Sequence, residues 1–248
     1  LLPTEEFDIE VPVGDVFFDP FGTGKENIDF RRARYDTSTG TDTSNPRRHS
    51  NLVSSFLDAS AVYGSDDTRA SQLRSFMGGR LKSQSTPTGE LLPFNSTDYF
   101  PAGPLENDSA GPVDPASLFV AGDVRSSENP MLAALHTVLV REHNRLADQI
   151  SAADNSLSDE QVFQRARKLV GAMLQHITYN EYLPLILGEG VLAPYAGYDA
   201  VTNAGVGAFF TTVAFRLGHS QAPDQFDLLN ADGSQTLESA LTSQQASF

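Results

Sequence analysis

The chain has 248 residues, enough to bury the core of one large domain or of two small ones. Its 32 aspartates and glutamates outnumber 17 lysines and arginines, which gives a formal net charge of -15 at pH 7. So acidic a surface repels phosphate backbones and anionic lipids, and it argues against nucleic-acid binding. It favours solubility and small or cationic partners.

Cysteine is absent, which excludes disulfides, thiolate zinc sites, cysteine nucleophiles and iron–sulfur ligation. No apolar run approaches the roughly 20 residues that span a bilayer. The first residues, LLPTEE, lack the basic start and the cleavage pattern of a signal peptide. We therefore expect a soluble protein without a membrane span. The sequence does not specify its compartment, and a secreted or periplasmic location stays open.

The first half of the chain is predicted to be mostly irregular. Residues 1–50 are rich in Gly, Pro, Asp, Thr and Ser, which is typical of loops with short extended pieces. The segment Asn51 to Ala70 is denser in apolar residues and predicts a short helix. Residues 83–117 are again loop-like, with six prolines between Pro87 and Pro115. A loop of this length needs a function or a packing partner.

From Phe119 onward the pattern becomes helical. Asn129 and Pro130 form a helix start, and apolar residues at helical spacing then predict one buried face: Leu132, Leu135, Val138, Leu139, Leu146 and Ile150. Ser158 and Gln161 predict a capping box for a second helix, which Pro184 and Gly188 end or kink. The apolar positions of this second helix are Val162, Ala166, Leu169, Val170, Met173, Leu174 and Ile177.

A third helix is predicted from about Asn203 to Leu217, before Gly218. Its inward residues are expected to be Phe209, Phe210, Val213 and Ala214. No segment alternates clearly enough for a large sheet. The fold class is therefore mainly α, with a helical core, long irregular loops and little β structure.

Several classes of site are excluded by motif. The chain has five histidines: His49, His136, His143, His176 and His219. His136 and His143 lie seven residues apart, on roughly one helix face, but no zincin motif surrounds them. Neither a Gly-x-Ser-x-Gly elbow nor a phosphate-binding or dinucleotide-binding glycine pattern is present. Zinc, serine-hydrolase and nucleotide chemistry are therefore not indicated.

What remains is a combination of three residues. Arg125 and Glu128 lie just before a long helix, and His219 follows the end of another. A neutral imidazole can ligate haem iron, and a guanidinium on the opposite side can polarise a bound peroxide. A lone histidine at a helix end is more often structural, so these residues leave the function open by themselves.

Four blocks in order resemble the animal haem peroxidase family. They are FVAGDVRSSE at 119–128, HTVLVREHNR at 136–145, AMLQHITY at 172–179 followed by EYLP, and AFRLGH at 214–219. The similarity covers about residues 51–230. It implies one haem peroxidase domain over residues 1–248, with an irregular segment at 1–50, the family-matching core at 51–230 and a truncated tail at 231–248.

The resemblance implies a role for each residue of the combination. His219 matches the proximal ligand of the iron in haem b, and Arg125 matches the distal catalytic arginine. Glu128 matches a glutamate that can form an ester bond to a haem methyl group, which would attach the haem covalently. Arg216 is expected near the haem on the proximal side, although a surface cation is an equally good interpretation of this residue.

Three other histidines, His136, His143 and His176, lie inside the matching blocks but are not haem ligands in the family. We therefore expect each of them to be either a core residue with satisfied hydrogen bonds or a residue that supports a ligand.

The segment SSFLDAS at 54–60 resembles the calcium loop of the family. By that match Ser54, Asp58 and Ser60 offer side-chain oxygens and Phe56 offers its carbonyl oxygen, donors that a hard cation prefers. Ser54 replaces the usual threonine and keeps the hydroxyl oxygen. The resemblance therefore implies calcium as a second cofactor.

The chain departs from the family in two places. The distal acid–base histidine belongs to an Asp-His-Asp type motif upstream of the calcium loop, and the sequence around His49 does not match it. The asparagine that bonds the proximal imidazole is expected downstream of Phe248. We therefore expect an incomplete domain, and a second chain is one possible source of these parts. The absence of cysteine favours a bacterial source.

The implied function is a peroxidase, which uses hydrogen peroxide to oxidise a halide, thiocyanate or a small organic donor. Two alternatives stay open at this point. A peroxinectin-like protein could be a calcium-stabilised adhesion module without catalysis. A fatty-acid dioxygenase of the same superfamily needs a tyrosine close to the proximal histidine, whereas Phe215 and Leu217 are the neighbouring large residues here.

Overall fold

The computed structural model describes residues 5–108, 113–221, 223, 225–226, 229–230, 232–234 and 241–242. The chain divides into two compact units, Leu1–Leu52 with Val206–Phe215 and Val53–Gly205 with Arg216–Phe248. Helices dominate the described residues, and their strands are only two or three residues long. The predicted mainly α fold is confirmed. Among the described helices, none has the length and apolar character to cross a membrane.

The first unit contains two short antiparallel strand pairs. The strands are β1 (Glu5–Glu6), β2 (Ile9–Glu10), β3 (Asn27–Ile28) and β4 (Arg31–Arg32), with β1 on β4 and β2 on β3. The turn between β2 and β3 folds around the carboxylate of Asp19, which is buried. The backbone N–H of Gly24 donates to it at 2.9 Å and, with three further bonds, lowers the pKa of Asp19 to about 2. Short extended pieces in an irregular segment are confirmed over residues 5–50.

The second unit begins with short elements. They are α1 (Ser60–Tyr63), α2 (Asp67–Leu73), the hairpin of β5 (Gln84–Thr86) and β6 (Gly89–Leu91), and a 3₁₀ turn at Pro115–Ser117. The short helix predicted between residues 51 and 70 is confirmed as α1, and α2 begins in the same segment. Both α1 and β6 pack against the following long helix.

Two long helices form the body of the second unit. Helix α3 (Pro130–Ala153) begins where the side chain of Asn129 accepts the backbone N–H of Leu132 at 3.0 Å. Helix α4 (Asp159–Ile177) begins with a reciprocal capping box between Ser158 and Gln161. Both predicted starts are confirmed. The sequence was sufficient for them because each cap depends on side chains within one helical turn. The two helices pack against each other.

The helical run after α4 changes its geometry twice. A π-helical turn covers Thr178–Tyr182, and α5 (Leu183–Leu187) follows it with Pro184 in its first turn. The run ends at Gly188, whose φ of 92° favours glycine because it lies in the left-handed half of backbone space. The prediction that Gly188 ends this helical segment is confirmed.

The buried face predicted for α3 is wrong in part. Leu135 and Val138 are more than half exposed, whereas His136, His143 and Asn144 are buried. The buried polar groups find partners far away in sequence: the Asn144 amide oxygen accepts the backbone N–H of Leu81 at 2.8 Å. The apolar spacing predicted the helix correctly but not its buried face. That face depends on hydrogen-bond partners among residues 63–90, which satisfy the buried polar side chains.

A mixed apolar and polar core joins α1, α3 and α4. Tyr63 and Phe163 are buried, and their rings meet edge to face, with centroids 5.7 Å apart. His143 lies against both rings. Its Nε2–H donates to the Gly79 carbonyl oxygen at 2.9 Å, and its Nδ1 accepts the Tyr63 hydroxyl at 2.8 Å. The prediction that His143 is a satisfied core residue is confirmed.

The pH dependence of stability should report on this histidine. Burial lowers the pKa of His143 from 6.5 to about 4, so the unfolded chain binds more protons between these values. The free energy of unfolding should therefore fall by about 2 kcal/mol from pH 7 to pH 5 through this residue alone. Urea unfolding of the parent and of His143→Gln, which cannot titrate, measures the difference. Identical pH slopes in the two proteins would contradict the assignment.

The third predicted helix, over about residues 203–217, is wrong in length and burial. The structure has α6 (Ala208–Thr212), a break at Val213, and a 3₁₀ helix at Ala214–Gln221 that continues through Gly218. The four residues expected to face inward, Phe209, Phe210, Val213 and Ala214, are exposed. The β-branched residues 211–213 disfavour a longer α-helix.

Near the C-terminus, β7 (Gln225–Phe226) pairs with β8 (Leu241–Thr242). Of the predicted tail at 231–248, only residues 232–234 and 241–242 belong to the described part of the chain. The rest of that tail lies outside the described residues.

Candidate functional site

Arg125 and Glu128 lie on a closed loop that leads into α3. The loop is fastened at its base, where Phe119 donates its backbone N–H to the Ser127 hydroxyl at 2.8 Å and accepts that hydroxyl in return at 2.9 Å. Glu128 donates its backbone N–H to the Arg125 carbonyl oxygen at 2.9 Å and is half-buried. Asn129 then caps the helix. The short loop therefore holds these two side chains three residues apart at the start of a rigid helix.

The guanidinium of Arg125 is gripped by Asp123. Arg125 donates Nε–H to Oδ1 at 2.9 Å and Nη2–H to Oδ2 at 2.8 Å, and its backbone N–H also reaches Oδ1 at 2.9 Å. This ion pair lowers the pKa of Asp123 and raises the pKa of Arg125 above its usual value. Arg125 is therefore a fixed cation at all physiological pH values.

His219 and Arg216 lie on the 3₁₀ helix Ala214–Gln221, and both side chains are exposed. Within the described residues, neither ring nitrogen of His219 has a hydrogen-bond partner. The segment is tied to the π-helical turn after α4, because the Tyr182 hydroxyl donates to the Gln221 side-chain oxygen at 3.1 Å. Such π turns occur frequently at functional sites. Because its ring is exposed and has no hydrogen-bond partner among the described residues, His219 is available as a ligand.

The structure groups the proposed site residues only in part. Arg125 and Glu128 share one loop, and Arg216 and His219 share one helical segment. In the described ranges, no hydrogen bond or ion pair joins the loop to that segment. Two sides of a cofactor pocket are expected to be apart, so this separation is compatible with one shared site.

The loop at 54–60, the predicted calcium site, brings Ser54 and Ser60 into hydrogen bonds with Asp58. The Ser54 hydroxyl donates to Asp58 Oδ2 at 2.8 Å, and the Ser60 backbone N–H donates to Oδ1 at 2.9 Å. Burial acts to raise the pKa of Asp58, but the bonds from Ser54 and Ser60 outweigh it and lower the pKa. In the described part of the chain, no group of three or more His, Asp or Glu side chains is placed so that it could hold a metal ion. This loop therefore offers one carboxylate among neutral oxygens.

Three other histidines differ in their surroundings. His136, on α3, is buried, which lowers its pKa. His176 is exposed and contacts Asn180 on its own helical run, so of its two expected roles the place in the core is wrong. His49 is also exposed and contacts the carbonyl oxygen of Arg34 at 2.8 Å.

The model of one protein family, described as animal haem peroxidase, matches residues 3–248. The chain belongs to the animal haem peroxidase family. The resemblance of the four sequence blocks is thereby confirmed, and the match extends beyond residues 51–230 to almost the whole chain.

A curated relative and a solved structure, both from Dictyostelium discoideum, are similar to this member of the animal haem peroxidase family. Peroxinectin A is 36% identical over 234 residues, which covers 91% of this chain and 42% of the relative. The solved structure of Peroxidase A superposes with a TM-score of 0.84 at 32% identity, over 98% of this chain and 47% of that one. The chain thus spans about half the length of these relatives.

A plant enzyme shares the fold with the animal haem peroxidase chain. The structure of fatty acid alpha-dioxygenase from Arabidopsis thaliana superposes with a TM-score of 0.65 at 19% identity, over 98% of this chain and 39% of that one. An identity this low shows a common fold and no more. It therefore does not favour dioxygenase activity for this protein.

Reasoning from sequence missed Asp123. The residue lies inside the block at 119–128, two positions before Arg125, and only the folded loop shows that its carboxylate accepts three N–H groups of that arginine. The one available signal was an acidic and a basic residue at a separation of two. That separation is uninformative without the turn that brings the two side chains together.

Proposed function

We propose that the protein is a haem-dependent peroxidase that uses hydrogen peroxide to oxidise a halide, thiocyanate or a small organic donor. The family match over residues 3–248 carries the proposal. By the resemblance of the sequence blocks, we assign Arg125, Glu128 and His219 to the distal arginine, the ester-forming glutamate and the proximal ligand of the family. The accessible side chains of Arg125 and His219 are consistent with these roles.

His219 is the residue that we assign to the iron of haem b. An axial imidazole must have an unblocked nitrogen, and the exposed ring of His219 offers one within the described residues. Haem, when bound, supplies the redox chemistry with peroxide. Arg216, three residues earlier on the same 3₁₀ helix, would place a positive charge on the proximal side, where it would suit a haem propionate.

Arg125 is the residue that we assign to the peroxide. Its guanidinium stays charged and is held in one orientation by Asp123, so it can stabilise negative charge as the O–O bond breaks without first rearranging. Glu128 would offer its carboxylate to a haem methyl group from the same loop. We place the distal acid–base histidine outside residues 1–248, in another part of the protein or in a second chain. The sequence around His49 does not match the Asp-His-Asp type motif of the family, which supports this placement.

The proposal is tested with the protein expressed from its whole reading frame and supplied with haem. A Soret band that shifts when hydrogen peroxide is added, together with oxidation of iodide, thiocyanate or a phenol, is expected. A protein that binds no haem would instead support the adhesion module. A haem protein that consumes fatty acid and oxygen without peroxide would support the dioxygenase.

Calcium is the second cofactor that we propose, at the loop 54–60. The carboxylate of Asp58, the hydroxyls of Ser54 and Ser60, and the carbonyl of Phe56 form a set of oxygen donors typical of calcium sites. Ser54 and Asp58 already lie at 2.8 Å from each other. The short spacing of these donors along the chain suits a hard cation.

Calcium should stabilise the fold in a way that depends on Asp58. At a calcium concentration about 100-fold above Kd, bound calcium adds about 2.7 kcal/mol, which raises Tm by on the order of 5–10 °C relative to chelated protein. The Asp58→Ala variant should lose this response. Asp154→Asn is the matched control, because Asp154 also accepts from a serine two residues on but lies in an exposed turn. An equal response in Asp58→Ala would rule out the loop.

A further inference from the structure

The position of Arg125 is not fixed by regular secondary structure. Its side chain is 54% exposed and lies on a loop, where a long flexible chain could adopt many rotamers. The bonds to Asp123 use Nε and Nη2. In the part of the chain that the structure describes, Nη1 donates to no protein group. The ion pair with Asp123 therefore fixes the Nε and Nη2 edge of the guanidinium and leaves Nη1 available to a ligand.

Asp123 is itself anchored on helix α1. Its backbone N–H donates to the Ala61 carbonyl oxygen at 2.9 Å, and its side chain is only 17% exposed. The preceding residue, Gly122, lies so close to α1 that an added Cβ would come within 2.4 Å of the Ser60 carbonyl oxygen. The backbone that carries Asp123 is thus pressed against a helix and cannot shift without disturbing it.

Arg69 fixes the same backbone from α2. Its side chain is buried, with Nε–H donating to the Ala121 carbonyl oxygen at 2.9 Å and Nη1–H donating to the Glu106 carbonyl oxygen at 2.7 Å. Burial lowers the pKa of Arg69, because removing the cation from water costs free energy. The hydrogen bonds to the two carbonyl oxygens offset part of this cost. The residue before Gly122 and the residue after it are therefore both held by long-range bonds.

We propose that Asp123 is a positioning residue for the reaction with peroxide, which sets the orientation of Arg125 toward the bound peroxide. The proposal rests on the proposed function, because it requires Arg125 to act on peroxide. Asp123 needs no contact with haem or peroxide in this role. Its short side chain, anchored through α1 and braced by Arg69, transmits a fixed geometry to a side chain that would otherwise be mobile.

The test uses the haem-loaded full-length protein and the second-order rate of the Soret change after mixing with hydrogen peroxide. Asp123→Asn keeps the size of the side chain but removes its charge and one strong acceptor. We expect the rate to fall by roughly 10- to 100-fold, the scale of a small misplacement of a catalytic group. The haem content and the resting Soret position should be unchanged. Glu142→Gln is the matched control, because Glu142 binds Arg145 by the same two-bond geometry on an exposed part of α3.

A double-mutant cycle separates positioning from general support of the fold. If Asp123 acts through Arg125, adding Asp123→Asn to Arg125→Ala causes no further loss of rate. A further loss of tenfold or more in the double variant would overturn the proposal, and so would a parental rate in Asp123→Asn when Arg125→Ala is slow. In both cases the proposed function would stand. An unchanged rate in Arg125→Ala would overturn the role of that arginine and this proposal with it.

Asp123→Glu keeps the test available if Asp123→Asn does not fold. This variant retains the charge but moves the carboxylate outward by one methylene, which displaces the guanidinium. A rate between those of the parent and of Arg125→Ala supports the proposal. A parental rate would show that the place of the carboxylate does not matter and would overturn it.

Discussion

Replacing His219 by alanine should abolish the Soret band of the haem-loaded protein. His219 lies exposed on a 3₁₀ helix and supplies the imidazole that we assign to the iron. Losing a residue that merely supports a metal ligand costs 10- to 100-fold in affinity, so losing the ligand itself should lower haem affinity by more than about 100-fold. Haem titration followed by absorbance, with Tm measured in parallel, checks this result.

His49→Ala is the control for the His219 experiment. His49 is also exposed, lies outside the blocks that match the family, and contacts only a backbone carbonyl oxygen among its described hydrogen bonds. It should bind haem like the parent. Normal haem affinity and a normal Soret band in His219→Ala would remove the assignment, because a protein that has lost its proximal ligand cannot bind haem normally.

Replacing Arg125 by alanine should separate catalysis from cofactor binding. The charged guanidinium is proposed to stabilise the charge that develops on peroxide, and removing one such group typically costs roughly 100- to 1000-fold in rate. The haem content and the Soret position should stay close to those of the parent, since Arg125 is not an iron ligand. Stopped-flow absorbance after mixing with peroxide gives the rate.

Arg145→Ala is the matched control for Arg125→Ala. Arg145 forms the same bidentate pair with a carboxylate, that of Glu142, but on the exposed side of α3. Its removal should leave the rate unchanged, because exposed ion pairs contribute little. Arg125→Lys should remain slow, since lysine cannot reproduce the two-bond pairing with Asp123. A fast Arg125→Ala enzyme would exclude a catalytic role for this residue.

The candidate site was predictable from sequence at the level of residues but not of geometry. Family blocks named Arg125, Glu128, Arg216 and His219, and the structure leaves these roles as proposals. The pairing of Arg125 with Asp123 and its bracing by Arg69 were not predictable. Arg69 contacts Ala121 and Glu106, which lie 52 and 37 residues away, so no local sequence pattern indicates these bonds.

Local chemistry in the sequence determined where the two long helices begin. The Asn129 cap and the Ser158–Gln161 capping box operate within a single turn, so sequence alone was sufficient to place α3 and α4. The predominance of helix over sheet followed in the same way from periodicity. The helix predicted over about residues 203–217 was wrong, because a short apolar run with β-branched residues does not fix one helical geometry.

Tertiary structure alone decided which side of α3 is buried and how Arg125 is held. Apolar spacing placed Leu135 and Val138 inside, yet His143 and Asn144 take those inner positions because Tyr63, Gly79 and Leu81 satisfy their polar groups. A buried polar side chain is acceptable only when its partners are present. Those partners come from distant segments, so their effect arises only when the chain has folded.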